Sequence, residues 1–142
     1  MANAYKPDGF RAVTPYLHVQ GAAQLIDFMK RAFDAEEVNR TTSDDGVVQH
    51  AELQLGDSKL ECSEGRDAYP AMPCAIHLYV SDTDACYRRA LAAGAASLYA
   101  PEVMPYGERS AGVKDPFGNH WYIATWLGTG ESGRERPDGY GG

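Results

Sequence analysis

The chain has 142 residues, 44% of them hydrophobic and 23% charged, with a formal net charge of −7. That length suits one domain with a real core, no apolar run approaches the ~20 residues of a membrane span, and no cluster of Lys and Arg stands ready to track the phosphates of nucleic acid. The opening MANAYKPDGFRAVTPYL lacks the apolar segment of a secretory signal, so a cytoplasmic location is expected.

In chain order, residues 13–19 (VTPYLHV) are expected as a strand. A helix over 22–33 follows, in which Leu25, Ile26, Met29, Ala32 and Phe33 recur at helical spacing. Strands are expected over 37–43, 47–55 and 58–63, separated by the turn signals DDG and GDS. EGRDAYPAM, 64–72, reads as a linker. The order then repeats, with a strand over 74–80 and a helix over 83–93 capped by Ser81 or Thr83 and stopped by Gly94. Short strands are expected over 96–100, 108–114 and 119–126. The last two are joined by DPFG, whose Asp, Pro and Gly occupy the places a type I turn prefers. The tail GTGESGRERPDGYGG, 128–142, is expected to be flexible.

Two tandem βαβββ modules, about 13–63 and 73–126, thus account for most of a single 142-residue domain. The fold class is α+β. Each small sheet covers one face with its helix and needs another use for the second. The expected architecture is an eight-stranded, curved mixed sheet around a ligand cavity.

Side chains alternate between strand faces, so parity names the cavity residues. Val13, Leu17 and Val19 form one apolar set, opposite Thr14, Tyr16 and His18. Ala51, Leu53 and Leu55 oppose His50, Glu52 and Gln54, while Leu60 and Cys62 oppose Lys59, Glu61 and Ser63. In the second half Ile76, Leu78 and Val80 oppose Ala75, His77 and Tyr79; Trp121 and Ile123 oppose His120, Tyr122 and Ala124. All four histidines fall on the face away from the helix, a sorting that any half-wet sheet also favours. With Glu52, Glu61, Tyr16, Tyr79 and Tyr122 they make a polar and aromatic face suited to a small organic ligand. Glu108 and Ser110 are placed at its rim, and Arg109 is read as an ion-pair partner more readily than as a ligand anchor. Cys62, Cys74 and Cys86 lack CxxC spacing and suggest neither disulfides nor a thiolate zinc site.

The segments PYLHVQGAAQLIDFMKRAFDAEE, GVVQHAELQLGDSKLECSE, IHLYVSDTDACYRRALAAGA and YGERSAGVKDPFGNHWYIAT, across residues 10–127, resemble the vicinal oxygen chelate superfamily. That group takes in glyoxalase I, extradiol dioxygenases and bleomycin resistance proteins, and the chain is most similar to its PhnB-like branch. The resemblance implies a homodimer with cavities shared between modules of different chains. It also implies four metal-ligand places, at Thr14, Glu61, Ala75 and Tyr122. Only Glu61 is an ordinary ligand, so no metal is expected; an offset divalent site on Glu61, His77 and His120 is the alternative.

Three functions follow from these residues. The first is a metal-independent, ligand-sequestering protein of the bleomycin-resistance type, taking an aromatic or cationic small molecule on Tyr16, His18, His50, Glu52, Glu61, His77, Tyr79, His120 and Tyr122. The second is a metal-dependent glyoxalase-like lyase, isomerase or dioxygenase. The third is a metal-free acid–base enzyme in which His77 or His120, with Glu61 or Glu52, moves a proton.

Overall fold

The structure, a computed structural model, describes residues 4–128, so the tail expected to be flexible lies outside the described residues except for Gly128. The chain divides into two compact units, Met1–Cys74 and Ala75–Gly142. The eight expected strands and two helices are present. The strands form two four-stranded mixed sheets, one per unit, rather than one continuous ladder.

The first unit runs β1 (Tyr16–Val19), α1 (Ala22–Phe33), β2 (Glu36–Thr42), β3 (Val48–Leu55) and β4 (Ser58–Glu64), in the spatial order β1-β4-β3-β2. β1 lies parallel to β4, and the β2–β3 and β3–β4 pairs are antiparallel. α1 buries Leu25, Ile26, Phe28, Met29 and Ala32, and the sheet face toward this core carries Leu17, Val19, Ala51, Leu53, Leu60 and Cys62. Gly21 starts α1 from a left-handed conformation, φ 97°, and offers no side-chain cap. The cap comes from β4 instead. The Glu64 carboxylate accepts from the Gly21 and Ala22 N–H groups at 2.9 Å each, placing negative charge on the helix N-terminus.

Val13 does not join the core as expected: it is 85% exposed, because β1 begins only at Tyr16. Pro15 has no N–H to give the ladder, although its carbonyl accepts from Glu61 N at 2.9 Å. Thr14 therefore also lies off the strand, its hydroxyl donating to the Arg11 carbonyl at 3.4 Å.

The second unit runs β5 (Ala75–Tyr79), α2 (Thr83–Ala92), β6 (Ala96–Met104), β7 (Glu108–Lys114) and β8 (His120–Trp126), in the order β5-β8-β7-β6. Its core holds Cys86, Ala90, Ala111, Val113, Trp121 and Ile123. The cap of α2 is Asp82, neither Ser81 nor Thr83: its carboxylate accepts from Ala85 N at 3.0 Å. Thr83 is buried, and its hydroxyl meets the Arg109 carbonyl and the Thr125 hydroxyl, each at 2.8 Å. β6 extends past the expected 96–100 and through Pro101. An edge strand tolerates this, because the register breaks between Tyr99 and Glu102.

The DPFG turn is built around Asp115. This buried carboxylate accepts from Phe117 N and Asn119 N at 2.9 Å each, Asn119 Nδ2 at 3.0 Å and Trp121 Nε1 at 2.8 Å.

Candidate functional site

Each sheet turns one face to its helix and leaves the other to the titratable and aromatic side chains. On the first unit, β1 presents Tyr16 and His18, with ring centroids 4.7 Å apart. The Tyr16 ring also lies 6.0 Å from His50 on β3, and His50 Nε2 meets Glu61 Oε1 of β4 at 2.6 Å. His18 Nδ1 is 3.3 Å from the Ser63 hydroxyl, and its ring stacks on Tyr69 at 6.0 Å and 13°. The chain Tyr69, His18, Tyr16, His50, Glu61 is thus continuous. Tyr69 belongs to the linker and escaped strand parity. It is placed by a bridge to Arg66, whose guanidinium stands 5.5 Å over its ring.

Glu52 and Glu61 are direct cross-strand partners in β3 and β4. Like charges so placed repel, and Glu61 is engaged by His50 Nε2. Two carboxylates thus stand beside the aromatic surface.

On the second unit one transverse row reads His77, Tyr122, Gly112, Tyr99 across β5, β8, β7 and β6; the next includes Tyr79, Ala124 and Ser110. Ala124 carries only a methyl group, so side chains on the flanking strands can reach each other over the middle one. Glu108 of β7 receives His77 Nε2 at 3.2 Å on Oε1 and the Tyr79 hydroxyl on Oε2. Glu108 was expected at the rim and is buried, at 6% exposure, while the His77 side chain remains 41% exposed. The His77 and Tyr79 rings lie 4.6 Å apart. His120 Nδ1 is 3.4 Å from the Tyr122 hydroxyl.

Sequence parity thus assigned Tyr16, His18, His50, Glu52, Glu61, His77, Tyr79, His120 and Tyr122 to the open faces. The pairings of the His residues were not visible in it. Arg109 forms the ion pair expected of it, with Nε 2.6 Å from Asp84 Oδ1 and Nη2 2.9 Å from Oδ2. The hydrogen bond from Arg109 holds the Asp84 carboxyl below its ordinary value, and Asp84 holds the guanidinium above its own. A depressed carboxylate contributes stability above its unfolded pKa and loses it as pH falls through the folded one. The stability gap between wild type and Arg109→Met should therefore be open at neutral pH and close in acid, below the ordinary aspartate value of 3.8. Urea unfolding at several pH values checks this, and a gap that widens in acid would contradict it.

A shallow concavity of about 440 Å³ lies where the segment from Lys6 to Ala12 meets Gln54 and Asp57. It contains none of the histidines. Burial pushes the Cys62 thiol up to about 12 and the Cys86 thiol up to about 11, which disfavours the reactive thiolate in both.

The four metal places fare poorly as donors. Thr14 is engaged with its own loop, Ala75 has no donor atom, Tyr122 offers a neutral phenol, and Glu61 is held by His50. In the offset set Glu61 meets His50, His77 meets Glu108 and His120 meets Tyr122, each partner lying within the same unit. Among the described residues no group of three His, Cys, Asp or Glu side chains is gathered to hold a metal ion. The donor set at Thr14, Glu61, Ala75 and Tyr122 does not match the three or four charged or imidazole ligands of a divalent site.

The uncharacterized protein Mb0911c of Mycobacterium bovis is 40% identical over 123 residues, 79% of this chain and 81% of that protein. The uncharacterized protein Rv0887c of Mycobacterium tuberculosis is also 40% identical over 123 residues, covering 79% and 72%. Among solved structures, TioX from Micromonospora sp. ML1 matches with a TM-score of 0.69 at 23% identity, over 81% of this chain and 95% of that one. A PhnB protein from Bacillus cereus, described as a putative 3-demethylubiquinone-9 3-methyltransferase, matches at 0.62 and 20%, over 81% and 99%. These likenesses show the fold. The family model of the Glyoxalase/Bleomycin resistance protein/Dioxygenase superfamily matches residues 12–123, and the chain belongs to that superfamily.

Proposed function

We propose that this chain is a metal-independent binding protein of the bleomycin-resistance type, taking a planar, partly aromatic and cationic small molecule on the open faces of its sheets. The observation that carries this reading is the continuous surface of Tyr69, His18, Tyr16 and His50, ending on Glu61 with Glu52 beside it. Aromatic faces supply stacking, worth ~0.5–1.5 kcal/mol per good pair beyond burial. Carboxylates beside them favour a cation over the face of a ring. The donor chemistry at Thr14, Ala75 and Tyr122 supports metal independence over the metal-dependent lyase, isomerase or dioxygenase reading. No helix among the described residues is long and apolar enough to cross a membrane. A cytoplasmic homodimer is the setting we propose.

Bleomycin, an aromatic cation, is the first probe. Wild-type protein should bind it saturably, with the same affinity before and after dialysis against a chelator. Tyr16→Ala combined with His18→Ala should weaken binding about 10- to 100-fold, two stacking contacts being lost. Metal held at one ion per chain and released by Glu61→Ala, with binding lost alongside it, would overturn metal independence.

A further inference from the structure

We infer that His77 is a general base for carbon acids bound on the open face of the second unit, with Glu108 as its positioning residue. The inference rests on the proposed metal-independent binding of planar molecules and adds chemistry to it.

The first observation is the burial of Glu108. A carboxylate 6% exposed has been taken out of water and is held by His77 and by Tyr79. Such a buried pair is a poor source of stability, because apolar residues of similar volume commonly do as well or better. The charge of Glu108 therefore calls for another explanation.

The second observation is the geometry of the imidazole. A carboxylate on Oε1 accepts from His77 Nε2–H, so the lone pair of the neutral ring is on Nδ1. Tyr79 donates to the other carboxylate oxygen and packs its ring 4.6 Å from the imidazole, which limits rotation of both groups. His77 keeps 41% of its side chain exposed, enough for a ligand to reach. A base fixed by a buried acid and open to the ligand face is the arrangement general-base catalysis needs. His50 and Glu61 differ, since Glu61 is 25% exposed and faces a second carboxylate.

The step is proton abstraction from a C–H flanked by C=O or C=N. The proton moves to Nδ1, the C–H electron pair becomes a new π bond, and the displaced pair settles on the electronegative atom. The imidazolium then returns its proton to the product or to water. No oxidant, reductant or metal enters the balance.

The probe is 5-nitrobenzisoxazole, a planar carbon acid that opens when a base removes its ring C–H: the C–H pair forms a nitrile, the N–O bond breaks, and the oxygen leaves as a coloured phenolate. Its 3-methyl analogue lacks the ring C–H that ring opening requires and reports binding alone. With the full-length protein, turnover should exceed that of an equal concentration of imidazole by about 100-fold or more, and His77→Ala should remove that gain. Glu108→Gln preserves volume but can present an amide N–H to Nε2. It should lose rate about 10-fold or more with analogue affinity unchanged, and ¹⁵N spectra of His77 should show the proton moved from Nε2 to Nδ1. A merely structural Glu108 would leave that tautomer signal alone. Analogue binding without turnover, or turnover that survives His77→Ala, overturns the base and leaves the binding reading standing. Absence of analogue binding overturns both.

Discussion

Asp115→Ala is expected to destabilise the second unit by on the order of 3–5 kcal/mol, several N–H groups each losing a bond to a carboxylate. Four N–H groups converge on this carboxylate, and two of them, from Asn119 and Trp121, belong to side chains buried completely. Removing the acceptor takes from each donor its hydrogen bond to the carboxylate, at ~1–3 kcal/mol per buried group. For a chain of this size the melting temperature should fall by roughly 10 °C. Asp115→Asn should be intermediate, because its amide oxygen replaces only part of the acceptor. Should Asp115→Ala fail to fold, Trp121→Phe removes one donor together with part of a buried ring, and should cost about 1–2 kcal/mol for the bond with a cavity cost added. Unfolding curves for Asp115→Ala that overlay wild type would show that water or rearrangement satisfies the four donors.

This turn also illustrates what could be read from residues in a row. DPFG announced a type I turn by local preference, and α1 announced itself by apolar spacing, with Ala22–Phe33 matching expectation. Both depend on neighbours in sequence. Asp115 as acceptor for Trp121 depends on the hairpin closing over it, and nothing local marks that. The same division runs through the candidate site. Alternation placed the histidines on the open faces because period two is a property of one strand. His50 beside Glu61 was within reach, since the hairpin pairing Leu55 with Ser58 sets Glu52 opposite Glu61 and His50 diagonal to it. His77 with Glu108 was not, because β5 and β7 meet only across β8, and the register of both pairs decides the contact. Tyr69 had no periodicity to betray it. Val13 and Thr14 were misplaced for a local reason, the proline at position 15 delaying entry to the ladder.

Gly112→Ala should show how closely the second face is built. A Cβ at this position would stand 2.4 Å from Tyr99 Cε1 and 2.8 Å from Cδ1, so the ring must move. Tyr99 lies over the glycine on the edge strand and reaches the buried Ser110 hydroxyl at 2.8 Å. Overpacking of this kind costs ~1–3 kcal/mol, and stranding Ser110 adds ~1–3 kcal/mol. A total of about 2–6 kcal/mol is expected in denaturant unfolding. In a Tyr99→Ala background the clash is absent, and the same Gly112→Ala change should turn stabilising, since alanine in a strand interior gains ~0.5–1 kcal/mol over glycine. The four proteins form a double-mutant cycle whose coupling is large and whose sign reverses. An equal cost in both backgrounds would mean that the backbone at Gly112, and not the ring above it, requires glycine. Because His77, Tyr122, Gly112 and Tyr99 share one transverse row, displacing the ring should also weaken ligand binding on this face, whereas the reversal in the Tyr99→Ala background concerns stability alone.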